Sequence, residues 1–479
     1  MHRRIGDGAG KERWVFLIFN GLHFFSTALF QDELSGLNGR LQGTVEDCHN
    51  GMDTTCLNFT ASQFNGIYVS GFWMGCITSI LTGFFVARFG VWVSSYWTGL
   101  CILFGSTLFT LGPYLSNQSA FAIMLIGRFS ACIGVYGNFV VSGEVKSHWF
   151  SGKELALSFS IYFCCGRIGS IVAFTSVGSL LESLGLQNTL WVLWVLTQGA
   201  TIFAVLSGWV YQNYTSARLD AQVLDDSAAV TYNLYTLGHL GTSCWLMCGV
   251  VFFFYGALNS MLADGTKFFI EMYNYSETKA AITVGIIPDI GLIAPLFGWL
   301  IDRYGYRDVV TCVATLFMLL AILLIAPVPV SAVMIIGLSC LALAYALDIA
   351  CFWSNIAVLV TYPPYVVIGL GVGIASELLA SGLLLLISGF ILDDTSLTIE
   401  ARWRNFFITV TLFAATAVVF AVVLVVYDWM KGGKKLREKT GVVPSMAAAE
   451  GNSVAVDDEM AAPLLKVQRS GLQYGGETN

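Results

Sequence analysis

Charge is what this sequence has least of. Asp, Glu, Lys and Arg make up 11% of the 479 residues and hydrophobic residues 56%, against about 25% charged in ordinary soluble domains. A soluble fold built from it would leave much of its apolar surface in water. Histidine is scarce too. The five are scattered, and there is no H-E-x-x-H run, nucleophile elbow or phosphate-cradling loop, which argues against an enzyme. Cys244 and Cys248 form a pair that is isolated and lies inside an apolar stretch, so the chain shows no convincing zinc spacing. No metal, other cofactor or nucleic-acid partner is expected.

Present instead are apolar blocks of about 20 residues, the length a helix needs to cross hydrocarbon. They are continuously apolar rather than alternating with period two, so the spans are helices and not barrel strands. The expected fold is an all-α membrane protein, embedded in a lipid bilayer, with twelve transmembrane helices in two pseudo-symmetric six-helix halves. The spans run roughly 14–34, 63–87, 92–112, 120–145, 154–181, 187–211, 239–262, 279–301, 309–328, 331–358, 366–392 and 403–429. The organisation expected is an N-terminal segment 1–13, a first half 14–211, a linker 212–238, a second half 239–429 and a polar, disordered tail 430–479. No small-residue cleavage site follows the charged start, so no removable signal peptide is expected.

Seventeen of the 24 Lys and Arg fall on the side of the N terminus and five on the other, with Arg128 and Arg167 inside spans. By the positive-inside rule both termini are cytosolic. The sequons at Asn58, Asn117 and Asn274 all fall in loops on the opposite side, as glycosylation requires, although a fourth at Asn213 does not. Cys48 and Cys56 share the first non-cytosolic loop and are a disulfide candidate in an oxidising compartment.

"GFFVARFGVW", Gly83 to Trp92, follows the second span, and "GWLIDRYGYR", Gly298 to Arg307, follows the eighth. The shared G-x-x-x-[A/D]-R-[aromatic]-G is an internal repeat at matched points of the two halves. Its glycines allow a tight turn and close approach, and its Asp and Arg can pair with each other or with helix ends. The repeat resembles the signature loop of the major facilitator superfamily, whose members are two six-helix halves rocking about a central site. That resemblance assigns Gly83, Arg88, Gly298, Asp302 and Arg303 to gating. Ala87 stands where the first copy would carry its acid.

A narrower resemblance lies in Gly127 to Ser170, which contains R-F-x-x-x-I-G, W-F-x-G-K-E-L and R-I-G-S. With "FQDEL", "FFFYGAL", "PLFGWLIDRYG" and "GFILD" elsewhere, it is similar to the lysosomal dipeptide transporter group of that superfamily. The resemblance implies a small-molecule substrate bearing a carboxylate, an arginine at Arg167 pointing into the binding cavity, a lysosomal membrane and a glycosylated accessory membrane subunit. It also implies an acid in the fourth span where this chain has Tyr136, so an amine would be met by Tyr136 as a neutral acceptor or by Glu377.

Ionisable groups at mid-bilayer cost at least about 2.5 kcal/mol and need a partner or a wet cavity. Arg167 lies about 20 Å from the cytosolic end of its span by helical rise. Its fork suits a carboxylate, or it pairs with a buried acid as a structural element. Glu377 is a candidate to bind an amine, carry a proton, counter Arg167 or hold helices together. Asp289, between Pro288 and Pro295, belongs to a broken helix that either lines the site or merely kinks. Arg128 matches the superfamily's R-x-x-x-x-x-G pattern and is assigned to coupling, gating or anchoring. Asp32, Glu33 and Asp348 are expected nearer an interface, as solvated gate residues. The leading function is alternating-access transport of a small carboxylate-bearing solute, such as a dipeptide or amino acid. Its alternatives are transport of another organic anion and a non-transporting receptor or scaffold on the same fold. The tail's "DDEMAAPLLKV" is similar to an acidic dileucine sorting signal, and the plasma membrane is the second location expected.

Overall fold

The computed structural model describes residues 10–42, 56–115, 117–150, 154–216, 234–275, 277–325, 331–360, 365–392, 394, 396–431 and 433–438. Every regular element among them is helical. Helix α1 is Glu12–Gln42. The next helix, Ala61–Leu111, has 51 residues, about 77 Å at 1.5 Å per residue and so more than twice the hydrocarbon thickness. It is broken at Gly90, whose φ of 81° and ψ of 170° suit a residue without Cβ. Its arms, 61–89 and 91–111, are α2 and α3. Helix α4 is Asn117–Trp149. Leu155–Ser216 repeats the device with Gly185 at φ 75°, giving α5 (155–184) and α6 (186–216).

The second half comprises α7 (Thr242–Tyr273), α8, α9 (Arg307–Ile325), α10 (Ser331–Leu359), α11 (Val366–Leu392) and α12 (Ile399–Met430). Helix α8 is Glu277–Ile290, a 3₁₀ turn at Gly291–Ile293 and then Ala294–Tyr304. Proline has no backbone N–H to give, and the break falls between Pro288 and Pro295. Eleven stretches of the described residues are long and apolar enough to cross a bilayer. One of them, Val69–Tyr114, contains Gly90 and two crossings, which makes the expected twelve. An outward-facing belt of large apolar side chains, with Val195 and Leu412 each 63% exposed, meets the lipid.

Helices in a bilayer gain nothing from hiding apolar surface from one another, so they pack by close backbone approach at small residues. Helices α3 and α4 do this at three glycines. A Cβ added at Gly105 would lie 2.2 Å from the Ala131 nitrogen, one at Gly127 2.6 Å from the Phe109 nitrogen, and one at Gly134 2.3 Å from the Thr98 oxygen.

The halves meet on the face that carries both described ends of the chain, the terminal face. There α2 lies on α11, with Gly371 leaving only 2.5 Å between an added Cβ and the Ser79 oxygen, and α5 lies on the inner arm of α8 at Gly298 and Ala156. On the opposite face α5 barely touches the outer arm of α8, so the halves part there. Past α12, Leu436 is buried. Its N–H donates to Asp428 (3.1 Å) and its carbonyl accepts from the Arg307 N–H (2.9 Å), strapping residues 433–438 onto the start of α9. Gly127→Val would force two backbones apart and is expected to cost about 1–3 kcal/mol, read as a lower melting temperature in detergent micelles.

Candidate transport site

Arg167 is half-buried on α5. The glycines beside it serve a neighbouring helix: a Cβ on Gly166 would strike the Phe24 ring and one on Gly169 the Phe25 carbonyl, both on α1. The guanidinium sits 4.9 Å from the centre of the Tyr345 ring of α10 and within electrostatic reach of Asp32, Tyr255 and Glu377. Among the described residues no carboxylate lies within 4 Å of it, and its Nε has no partner. The expected alternative of a buried structural ion pair is therefore not what this structure contains.

Around the arginine the two halves contribute acids from opposite sides. Asp32 of α1 lies beside Ser170 and feels both Arg167 and Arg128. Arg128 is an anchor: Nη1 donates to the Phe30 carbonyl at 2.6 Å and Nη2 to the Gln31 carbonyl at 2.7 Å, fixing the stretch of α1 that presents Asp32. Glu33 is buried, not solvated. Glu377 on α11 is half-buried and shares the field of Arg167. Tyr136 on α4 lies near Glu377 and Gln31, and a Cβ on Gly75 would come within 2.4 Å of its ring. Asp348, expected at an interface, is fully buried on α10 beside the Tyr255 hydroxyl. The correction follows from which face it occupies, since α10 is apolar all round and depth alone does not reveal the side. Asp289, beside the α8 break, is exposed and is not among the groups within electrostatic reach of Arg167.

An aromatic floor closes the cluster towards the terminal face. Phe139 of α4 stacks edge-on with Trp353 of α10 at 5.1 Å, Phe163 lies 6.0 Å from Trp353, and Tyr162 stacks on Phe24 at 4.4 Å. Below the floor is a clasp. Asp302, at the end of α8, accepts from the N–H groups of Ala156 (3.1 Å) and Leu157 (2.8 Å) in the first turn of α5. Those amides have no partner within their own helix, and a negative charge at a helix start is favourable. Arg307 completes the clasp, donating to Asp302 at 3.0 Å and to Ser354 on α10. Of the repeat residues, Gly83, Gly298 and Gly305 make close approaches, to Ile368, Ala156 and the Arg437 carbonyl. Arg88 and Arg303 instead point outward over Phe89 and Trp299.

The Major Facilitator Superfamily model matches residues 15–364. The chain belongs to the major facilitator superfamily. Curated relatives include the lysosomal dipeptide transporter MFSD1 of Danio rerio, 26% identical over 394 residues that cover 79% of this chain and 81% of the relative. The Homo sapiens protein of the same name is 25% identical over 355 residues, covering 71% and 73%. Among solved structures, the fold is shared with the human organic anion transporter MFSD10 (TETRAN; TM-score 0.61, 16% identity, 86% of this chain and 99% of that one). It is shared also with FucP in the outward conformation (TM-score 0.59, 14% identity, 86% and 99%). As a facilitator the chain is a secondary transporter of a small molecule, embedded in a bilayer as a multi-pass protein, and not an enzyme.

In this facilitator the loops facing away from the terminal face carry the three sequons. Asn58 and Asn274 are exposed and Asn117 opens α4. Cys56 is disulfide-bonded; Cys48, its expected partner, lies outside the described residues.

Lys146 was legible only as a basic flank, because the fourth span ends at 145 by hydropathy. Helix α4 continues to Trp149 and buries Lys146 completely, its Nζ 3.3 Å from the centre of the Tyr162 ring and 4.6 Å from that of Phe159, with no hydrogen-bond acceptor among the described residues.

Two outcomes are expected here. Asp302→Ala leaves two helix-start amides without an acceptor and takes from Arg307 its buried carboxylate, and should cost about 3 kcal/mol, with faster amide hydrogen exchange at Ala156 and Leu157 by mass spectrometry. Lys146→Met replaces an unpaired buried amine by an apolar chain of like length and should be neutral or stabilising by about 1 kcal/mol or more, read as an unchanged or raised melting temperature.

Proposed function

We propose that this facilitator carries a small carboxylate-bearing solute, a dipeptide or amino acid, across a lysosomal or endosomal membrane by alternating access, with both termini in the cytosol. The observation that carries the reading is Arg167: a guanidinium inside the bilayer with no carboxylate within 4 Å among the described residues. Such a group is too expensive to keep unless something completes it, and its planar fork matches a carboxylate in two parallel hydrogen bonds.

The cycle follows from the tiers of the structure. With the clasp closed, the solute enters from the face where the halves part, its carboxylate settles on Arg167 and it rests on the aromatic floor. Release requires Asp302 to leave the α5 helix start and the Phe139–Trp353 contact to part, opening the terminal face as the other closes. The Lys and Arg bias and the far-side sequons support terminal-face cytosol. The names of the relatives support the organelle, and the same kinship supports a glycosylated accessory subunit. A second reading, an organic anion without an amine, is favoured by Tyr136 standing where the resembled group has an acid.

Uptake by purified protein in liposomes, run against dipeptides, amino acids and organic acids, tests this. Arg167→Ala is expected to lower uptake of each accepted carboxylate by about 10- to 100-fold, the worth of a charged hydrogen-bond pair, and Arg167→Lys to recover only part. A folded Arg167→Ala protein with normal uptake would remove Arg167 from the site.

A further inference from the structure

The strap beyond α12 has an outer face that the transport cycle leaves unused. Along α12 the side chains of Val419, Val422, Val426 and Trp429 are all exposed, at the three- and four-residue steps that keep them on one side of a helix. In a membrane helix an exposed apolar side meets lipid. Met430 ends the helix with its side chain 76% exposed. Trp429 therefore stands where hydrocarbon gives way to headgroups, the level at which membrane tryptophans gather.

Past the helix the chain turns back on itself and lays cations over that tryptophan. Gly433 and Lys434 take φ of 75° and 61°, the Lys434 N–H donates to the Asp428 carbonyl at 3.1 Å, and the Arg437 N–H donates to the Lys434 carbonyl at 3.0 Å. The Lys434 ammonium lies 5.5 Å from the centre of the Trp429 ring, and the Arg437 guanidinium lies 4.8 Å from it and 5.4 Å from that of the exposed Tyr306. Lys431 is exposed beside them. Among the described residues no carboxylate lies within 4 Å of these three cations. A guanidinium resting on ring faces keeps its N–H edge for a phosphate, and basic residues just beyond a membrane helix are attracted to anionic lipid. The inner side of the same strap holds the gate. The Leu436 carbonyl accepts from the Arg307 N–H, and the Trp429 Nε1–H donates to Asp308 at 3.2 Å. Both partners open α9, and the Arg307 side chain is the one that grips Asp302.

We propose that Lys431, Lys434 and Arg437 bind the headgroup of an anionic phospholipid from the leaflet at the terminal face, and that the bound lipid steadies the clasp between α8 and α5. The occupant follows from charge and place: a patch of like-signed cations beside the lipid-facing edge of a helix meets headgroups before it meets any soluble anion. The lipid holds the strap down on α12, the strap holds the start of α9, and Arg307 holds Asp302. The inference is independent of which solute Arg167 receives.

Native mass spectrometry of the full chain, released from nanodiscs of equal parts phosphatidylcholine and phosphatidylglycerol, reads the lipid that stays bound. Wild type is expected to retain phosphatidylglycerol over phosphatidylcholine by about tenfold or more, and a protein carrying Lys434→Gln and Arg437→Gln to lose most of that preference. Hydrogen exchange reads the clasp. In wild type the amides of Leu436, Arg307, Ala156 and Leu157 should exchange about three- to tenfold more slowly in discs with phosphatidylglycerol than in phosphatidylcholine alone, and in the double variant at the same rate in both. Equal retention of the two lipids by wild type overturns the site, a result that needs no variant to fold. So does a folded double variant that keeps the wild-type preference. Slowing reproduced by inorganic phosphate in phosphatidylcholine discs makes the patch a soluble-anion site and overturns the lipid. Retained phosphatidylglycerol with unchanged exchange at Ala156 and Leu157 overturns the effect on the clasp.

Discussion

Asp302 brings a negative charge from the end of α8 to the start of α5, across the line where two six-helix halves meet. The bond is directional, since the amides it accepts are available only in the first turn of a helix and only in this alignment. It also reaches further than one pair: Arg307 ties the same carboxylate to Ser354 on α10, and the Arg307 backbone is strapped to Leu436 beyond α12. The closed terminal face, the floor above it and the cavity beyond all follow from that alignment.

The site above the floor obeys the other constraint on a membrane protein, that every charge within the bilayer must be accounted for. Arg128 is accounted for by two carbonyls of α1. Among the described residues Arg167 has no carboxylate within 4 Å, and Asp348 is buried beside the Tyr255 hydroxyl.

Much of this was legible before any coordinate. Twelve spans follow from the lengths of apolar runs, and Arg167 announces itself because a permanent charge inside such a run has few explanations. The close approaches at Gly83 and Gly298 were readable from their repeat. Other residues were not, for physical reasons. Membrane-spanning helices are apolar all round and carry no stripe, so Asp348 and Asp289 could not be assigned a face, and the structure buries the first while exposing the second. Hydropathy ends a span where the apolar run ends, whereas α4 runs on to Trp149, and Lys146 was lost in that difference. Arg307 lies outside the shared motif, yet it and not Arg303 pairs with Asp302, because it opens α9 and points back under α8.

The two copies of the repeated loop are unequal. In the second, Asp302 grips a helix start; in the first, Ala87 has no group to grip with, and α2 and α11 approach each other there at Gly83 and Gly371. A contact of that kind weakens gradually as helices slide apart, while a charged cap stays whole until it breaks. The terminal face is therefore hinged like a door with one latch: its α2–α11 edge can breathe and admit water early, and the moment of full opening is set by the α5–α8 edge.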